Sequence, residues 1–281
     1  MNKIIFAGNL TLDLIMNFEK KIKLSNSNQS YKINMNIGGI ANNFQYLRKK
    51  YGKIAALDAA VGNDFQGKYI KDKFKLDNSE IYLDKNRETS TANIVVDEKS
   101  SEKTSFVNWG ACKYKEFNKN YKNCWIHFSY VELLKKLKPS YLINLKKNNC
   151  FISADLCSNF YSGQLKKRLI KIFKLIDFLI ISDNEAISFS KTSNLKIAAK
   201  KMGQYVKRLI MHYPTGSFYI EGKKLINYKI AKNLVVNKSQ KLNGAGDIFA
   251  SEFIYRIFKK KSKIDIAVQK AHKSASNFVK N

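Results

Sequence analysis

The sequence predicts an α/β fold in which a central, mostly parallel β-sheet is flanked by helices and a second, smaller sheet stands apart from it. Three observations carry that expectation. Short β-branched or apolar runs alternate with segments of helical period, the pattern of βαβ units. Two stretches, one between the first strand and the first helix and one at 91–107, instead alternate with a two-residue period. Of the 281 residues 44% are hydrophobic, with 18 Phe and 15 Tyr, enough to bury a core in one large domain or two small ones. Such a composition excludes a disordered chain.

Taken in order, Ile4–Gly8 reads as the first strand and Ala41–Tyr51 as the first helix, with Phe44, Leu47 and Tyr51 at helical spacing. Ile54–Val61 is a second strand, and Phe65–Leu76 an amphipathic helix among lysines. Asn93–Asp97, a turn over 98–102 and Thr104–Val107 read as a β-hairpin. Further strands are expected at Cys124–Phe128, Cys150–Ala154, Phe178–Ile181 and Leu209–His212. Helices are expected at Val131–Leu137, Tyr161–Phe173, Asn184–Phe189 and Leu195–Val206, and again after Asp247 through Phe253, Ile254 and Ile257. No repeat or low-complexity linker interrupts the chain.

The balance of 51 Lys+Arg against 22 Asp+Glu gives a net charge of +29, which taken alone points to nucleic acid. Its make-up argues otherwise. Five of the basic residues are arginine (Arg48, Arg87, Arg168, Arg208, Arg256), the type suited to bidentate phosphate and base contacts. Lys, Asn and Ile are over-used together along the whole chain, a compositional drift rather than one basic face, so no nucleic-acid partner is expected. No run approaches the roughly 18–20 apolar residues of a membrane helix, and the most apolar one, Leu175–Ile181, contains Asp177. The N-terminus reads as a strand rather than a signal peptide, and the expectation is a cytoplasmic protein. Cys112, Cys124, Cys150 and Cys157, at spacings of 12, 26 and 7, form no C-x-x-C, and His127, His212 and His272 lack zinc-finger spacing. Four idle thiols are expected.

The strongest local signal is Asn243-Gly244-Ala245-Gly246-Asp247, leading into an apolar helical pattern. Glycines before a helix let an anion approach the backbone, where first-turn N–H groups point at it with the helix dipole behind them. An aspartate there suits a base acting on a hydroxyl that attacks a bound phosphate; equally, Asp247 could cap a helix after a tight turn. Gly38-Gly39-Ile40-Ala41-Asn42-Asn43 also enters a helix, and its bare backbone admits a polar substrate to which Asn43 offers donor and acceptor. Asp13 follows the first strand at its carboxyl end, where open α/β sheets place ligands.

In this order the motifs resemble the PfkB (ribokinase-like) family of carbohydrate and nucleoside kinases over nearly the whole chain. Gly8–Asp13 resembles the opening strand with its substrate aspartate, Gly38-Gly39 with Asn43 the first signature, and Asn243–Phe249 the second, around G-A-G-D. Val61–Gly67 is similar to the G-x-D-x-x-G segment, and Thr91–Asp97 with Phe106–Ala111 to the lid strands and turn of the adenosine-kinase-like branch, Trp109 replacing a proline. The resemblance implies a single three-layer α/β/α kinase domain over 1–281 with a small β-sheet lid, its strands within 10–36 and 88–110. It implies ATP and Mg²⁺, and a sugar or nucleoside phosphorylated on a hydroxymethyl group, the nucleoside branch slightly favoured. Asp247 would be the base, and the backbone of Gly244, Ala245 and Gly246 the anion hole. Asp13, Gly38, Gly39 and Asn43 would hold substrate, and Asn243 and Gly216 the nucleotide. Ser182-Asp183-Asn184-Glu185 matches N-x-x-E with Ser first, making Glu185 the residue toward Mg²⁺ through water. A homodimer through the lid is a further expectation.

The chain also departs from the pattern. Lys241-Leu242 stand where the family has Asp-Thr, and Met211-His212-Tyr213 where it has T-x-G, with Gly216-Ser217 retained. Thr11 and Ile40 replace the Asn and Lys of ribokinases, which disfavours ribose. The competing reading is therefore a sugar- or nucleoside-binding protein on the same fold with weak or no catalysis.

Overall fold

The computed structural model describes residues 3–19, 22–23, 27–75, 81–97, 102–157, 161–235 and 244–280. Two sheets organise the chain. The larger has nine strands: β1 (Ile4–Gly8), β4 (Ala55–Gly62), β5 (Ile81–Asp84), β8 (Trp125–Ser129), β9 (Phe151–Ala154), β10 (Phe178–Ser182), β11 (Arg208–Tyr213), β12 (Gly216–Glu221) and β13 (Lys224–Lys229), in the order β13-β12-β11-β10-β9-β8-β1-β4-β5. From β5 to β11 every pairing is parallel, and β12 pairs antiparallel with both β11 and β13. The smaller sheet has the order β3-β2-β6-β7, from β2 (Leu10–Phe18), β3 (Lys32–Gly39), β6 (Ser90–Asp97) and β7 (Glu102–Asn108).

Alternation along the central strands sends successive side chains into two cores. Ile5 and Ala7 join Ile126, Phe128 and Ile152 beneath α3 (Pro139–Lys147), α4 (Gly163–Phe173), α5 (Asp183–Ser190) and α6 (Leu195–Gly203). Ile4 and Phe6 join Trp125, Ile180 and Ile210 beneath α1 (Ile40–Tyr51), α2 (Phe65–Phe74), α7 (Ala245–Phe258) and α8 (Ile264–Lys280). This is a three-layer α/β/α arrangement, as expected. Between the sheets, buried Lys115 reaches buried Asp58 of β4 at 2.9 Å and fixes the segment that leaves β7.

One expected helix is absent. Over Val131–Leu137 the chain forms turns, because Arg168 of α4 donates to the carbonyls of Val131, Glu132 and Leu134 that a helix would use internally. Pro139 then holds Lys138 extended (ψ 140°) and opens α3 at its first position, a helix the apolar spacing did not reveal. β5, the β12–β13 hairpin and α8 were also not anticipated. The expected turn over 98–102 lies, except for Glu102, outside the described residues.

Candidate active site

The carboxyl ends of β8, β9, β10 and β11 converge on the N-terminus of α7, around a cleft of about 660 Å³. Gly244 caps α7 in the left-handed region (φ 86°), with no side chain of the described residues bonded to the first-turn N–H groups. Those groups remain available to an anion. Gly244, Ala245, Gly246 and Asp247 all line the cleft. Asn243, Lys241 and Leu242 lie outside the described residues.

Two consecutive asparagines of α1 hold Asp247. Asn42 Nδ2 donates to its Oδ2 at 2.8 Å, while Asn43 Nδ2 donates to its backbone carbonyl at 2.9 Å and to Ser251 Oγ at 3.0 Å. The Asn43 side chain is fully buried, yet its Oδ1 has no partner among the described residues. Asn9, also buried, leaves both Nδ2 and Oδ1 unpaired, and Asp13 leaves Oδ1 unpaired. Buried polar atoms of this kind cost free energy unless something binds them. The Asp13 carboxylate rests on Gly38, where no Cβ intervenes, and Gly39 (φ 62°) passes so close that a Cβ would lie 2.2 Å from the Asn9 carbonyl.

The electrostatics push these acids toward neutrality. Burial, with the nearby charges of Asp155 and Asp13, raises Asp247 to about 8 against the opposing hydrogen bond from Asn42. Burial raises Asp13 to about 6. Asp155, just beyond β9, is held by three donors: Tyr130 N–H at 2.6 Å, Ser129 Oγ at 3.0 Å and His127 Nε2 at 3.1 Å. The chain of bonds behind it fixes the tautomer. The Asp155 carboxylate only accepts, so His127 Nε2–H donates to it, and His127 Nδ1 accepts at 2.8 Å from the Ser153 hydroxyl, whose oxygen accepts from Trp125 Nε1–H at 2.7 Å. Tyr130 (φ 57°) sits among Asp247, Asp155 and Asp13, and its ring meets Trp109 edge-on at 6.3 Å.

Glu185 also lines the cleft, and burial with the charges of Asp155 and Glu132 pushes it well above the usual carboxylate range. It closes a capping box with Ser182, whose N–H donates to Glu185 Oε2 at 2.8 Å. Gly216 is buried beside the cleft without lining it; a Cβ there would lie 2.4 Å from the Tyr228 carbonyl and 3.0 Å from the Tyr213 hydroxyl. The His212 ring stacks near Phe249 and lies against Gly246. Sequence reasoning missed Asn9, Asn42, Asp155, Tyr130 and the relay behind Asp155. Asp155 carried a readable signal, since it directly follows β9 at the carboxyl end of that strand, where open α/β sheets place ligands, whereas Asp13 lies within β2 of the smaller sheet.

Among the described residues no three His, Cys, Asp or Glu side chains converge as a metal-ligand set, and no helix is long and apolar enough to cross a membrane. Among curated proteins no relative matches the chain. Solved structures match it over its full length. Adenosine kinase from Sinorhizobium meliloti is 13% identical with a TM-score of 0.80, the match covering 100% of this chain and 94% of that one. The nucleoside kinase of Methanocaldococcus jannaschii is 24% identical (TM-score 0.74; 100% and 92% covered), and Arabidopsis thaliana ribokinase complexed with ribose and ATP is 17% identical (0.79; 100% and 94%). These likenesses establish the ribokinase fold. The family model described as pfkB family carbohydrate kinase matches residues 1–281, and with the first signature hydrogen-bonded to the second through Asn42 and Asn43, the chain belongs to the pfkB family of carbohydrate kinases.

Proposed function

We propose that this protein is an ATP-dependent kinase that phosphorylates a hydroxymethyl group of a sugar or nucleoside. One observation carries the reading. A partly buried carboxylate, Asp247, stands in the first turn of a helix whose first N–H groups meet no side chain among the described residues, and Asn43 ties it to an unsatisfied polar atom that suits a hydroxylated acceptor.

ATP and Mg²⁺ fit the residues present. The first turn of α7 offers backbone donors to phosphate oxygens. The negative charge of Asp155 helps push both Glu185 and Asp247 toward neutrality, a repulsion a divalent cation would relieve. With no ligand set of three among the described residues, the cation would be held largely by phosphates and water, Glu185 acting through water. When bound, Mg²⁺ supplies positive charge against the phosphates.

In this reading Asp13 and Asn43 orient the acceptor, with the backbone of Gly38 and Gly39 beneath it. Asp247 accepts the proton of the attacking hydroxyl as its oxygen bonds to the γ-phosphorus and the bond to the departing ADP breaks. The N–H groups of Gly244, Ala245 and Gly246 stabilise charge on the transferring group, about 3 kcal/mol per donor in comparable sites. Asn243 and Gly216 are the proposed nucleotide contacts. The small sheet acts as a lid that excludes water. Its outward apolar side chains Ile33, Met35 and Phe106 suit a homodimer through the lid, to be read from light scattering. Trp109 against Tyr130 favours a nucleoside acceptor with a base to stack.

The test is ATP consumption, in the presence of Mg²⁺, with adenosine, other nucleosides, ribose, fructose and 2-keto-3-deoxygluconate. Turnover on one of these, lost in Asp247→Ala, supports the reading; turnover on none counts against it. A second reading, binding without efficient transfer, draws on Tyr213, whose ring lies over Gly216 where the family carries T-x-G. It predicts an acceptor that raises Tm but is not phosphorylated.

A further inference from the structure

We propose that Asn42 is a positioning residue for phosphoryl transfer, its amide fixing the orientation of the Asp247 carboxylate and stabilising the charged form of that group. The proposal rests on the reading of Asp247 as the base. Three features of the geometry lead to it.

Among the described residues, Asn42 is the one donor hydrogen-bonded to either carboxylate oxygen of Asp247, at 2.8 Å to Oδ2. The same side chain lies on the bare Cα of Gly244, where a Cβ would stand 3.3 Å from Asn42 Nδ2 and 3.4 Å from its Cγ. One amide therefore touches both the base and the residue that opens the anion hole. Its reach is fixed by the helix that carries it. Asn43 ties α1 to the Asp247 carbonyl, and farther along Tyr46, Lys50 and Tyr51 of α1 all donate to Glu252 of α7. Asn42 thus sits at the end of a fastened helix pair, aimed at one oxygen and leaving the other free for a proton.

The groups facing Asp247 from its other sides do not do this. Asp13 of β2 and Asp155 beyond β9 bring negative charge and oppose ionisation. Tyr130, in the turn after β8, has its phenol pushed up by burial and by these same acids, and stays neutral. His212, at the end of β11, lies against Gly246 and is lowered to about 3 by burial and by His272, so it brings no positive charge. No cation balances the acids from the protein side among the described residues, so among their side chains Asn42 alone favours the carboxylate.

The experiment compares wild type with Asn42→Ala, and with Asn42→Leu, which keeps the shape but lacks the N–H. The first readout is the pH profile of kcat/KM for the acceptor that turns over, at saturating ATP and Mg²⁺. Both variants should move the rising limb upward by about one pH unit, a tenfold loss on its acid side that recovers to within about twofold on the alkaline plateau. The second readout needs no activity. In ligand-free protein labelled with ¹³C at aspartate Cγ, the Asp247 signal, identified by its loss in Asp247→Asn, should titrate about one pH unit higher in both variants. A rate loss uniform across pH, or an Asp247 titration unmoved in either variant, overturns the proposal. A wild type inactive on every acceptor would defeat the kinase reading instead, and the ligand-free titration would still decide whether Asn42 governs Asp247.

Discussion

Gly38 and Asp13 approach each other across β3 and β2 so closely that a Cβ on Gly38 would stand 2.0 Å from Asp13 Oδ2 and 2.6 Å from its Cγ. The first glycine of the Gly38-Gly39 pair is therefore required by the carboxylate beside it, whatever else binds there. Gly38→Ala should drive Asp13 out of its orientation while leaving the α7 end of the cleft untouched. Expected is a fall in kcat/KM for the acceptor of at least about tenfold, with ADP affinity by calorimetry within about twofold of wild type. Equal losses on both sides would mean that the substitution disturbs more than Asp13.

The raised position of Asp247 also has a consequence for stability. A carboxyl that moves from 3.8 to about 8 on folding keeps its proton longer in the folded chain than in the unfolded one. The folded state therefore loses stability as pH rises from about 4 to about 8, and the penalty is fully present above that window. Asp247→Asn removes the ionisable group and should be more stable than wild type at pH 8, by about 2 kcal/mol after allowance for water in the cleft. The advantage should vanish near pH 4. Thermal unfolding of both proteins at the two pH values checks this, and an advantage independent of pH would contradict it.

Glu252 fastens α7 to α1. Its buried carboxylate accepts from Tyr46 at 2.5 Å, Lys50 at 3.0 Å, Tyr51 at 2.9 Å and Arg256 at 2.7 Å, while Tyr51 stacks on Tyr255 at 3.6 Å. Glu252→Ala leaves several donors without their acceptor and should cost about 3 kcal/mol or more in urea unfolding. Lys50, about 40% exposed, can turn to water, so Lys50→Ala should cost under about 1 kcal/mol.

How much of this was legible in the sequence follows from what each feature depends on. The parallel strands could be read because they are short apolar runs buried on both faces, and the small sheet because its strands keep a two-residue alternation. The helix starts at Ile40 and Ala245 could be read because glycines precede an apolar helical pattern at each. The turn structure at 131–137 could not, since its carbonyls are taken by Arg168 some thirty residues on. The Val61–Gly67 segment was legible as a motif but not as a role: Asp64 caps α2 through Gly67 N–H at 2.8 Å and takes Thr89 N–H at 2.6 Å, tying the base of the small sheet to the large one. Asn42 and Asp155 gain meaning only from what lies across from them in space, and no local pattern announces that.

Asp155 and Asp247 are neighbouring carboxylates in contrasting environments. Asp247 has one hydrogen-bond donor on its carboxylate among the described residues, and Asp155 has three, aligned by the relay from Trp125 through Ser153 and His127. Substituting the amide should therefore act oppositely at the two positions. Asp155→Asn turns an NH₂ toward a fixed donor and should destabilise the fold by about 1 to 3 kcal/mol, where Asp247→Asn stabilises it. It also removes the neighbouring charge that raises Asp247, so the Asp247 titration should move to lower pH, opposite to the shift expected of Asn42→Ala. Thermal unfolding and the ¹³C titration of Asp247 in Asp155→Asn test both signs. A titration that rises or stays put would show that Asp155 does not act on Asp247 through its charge.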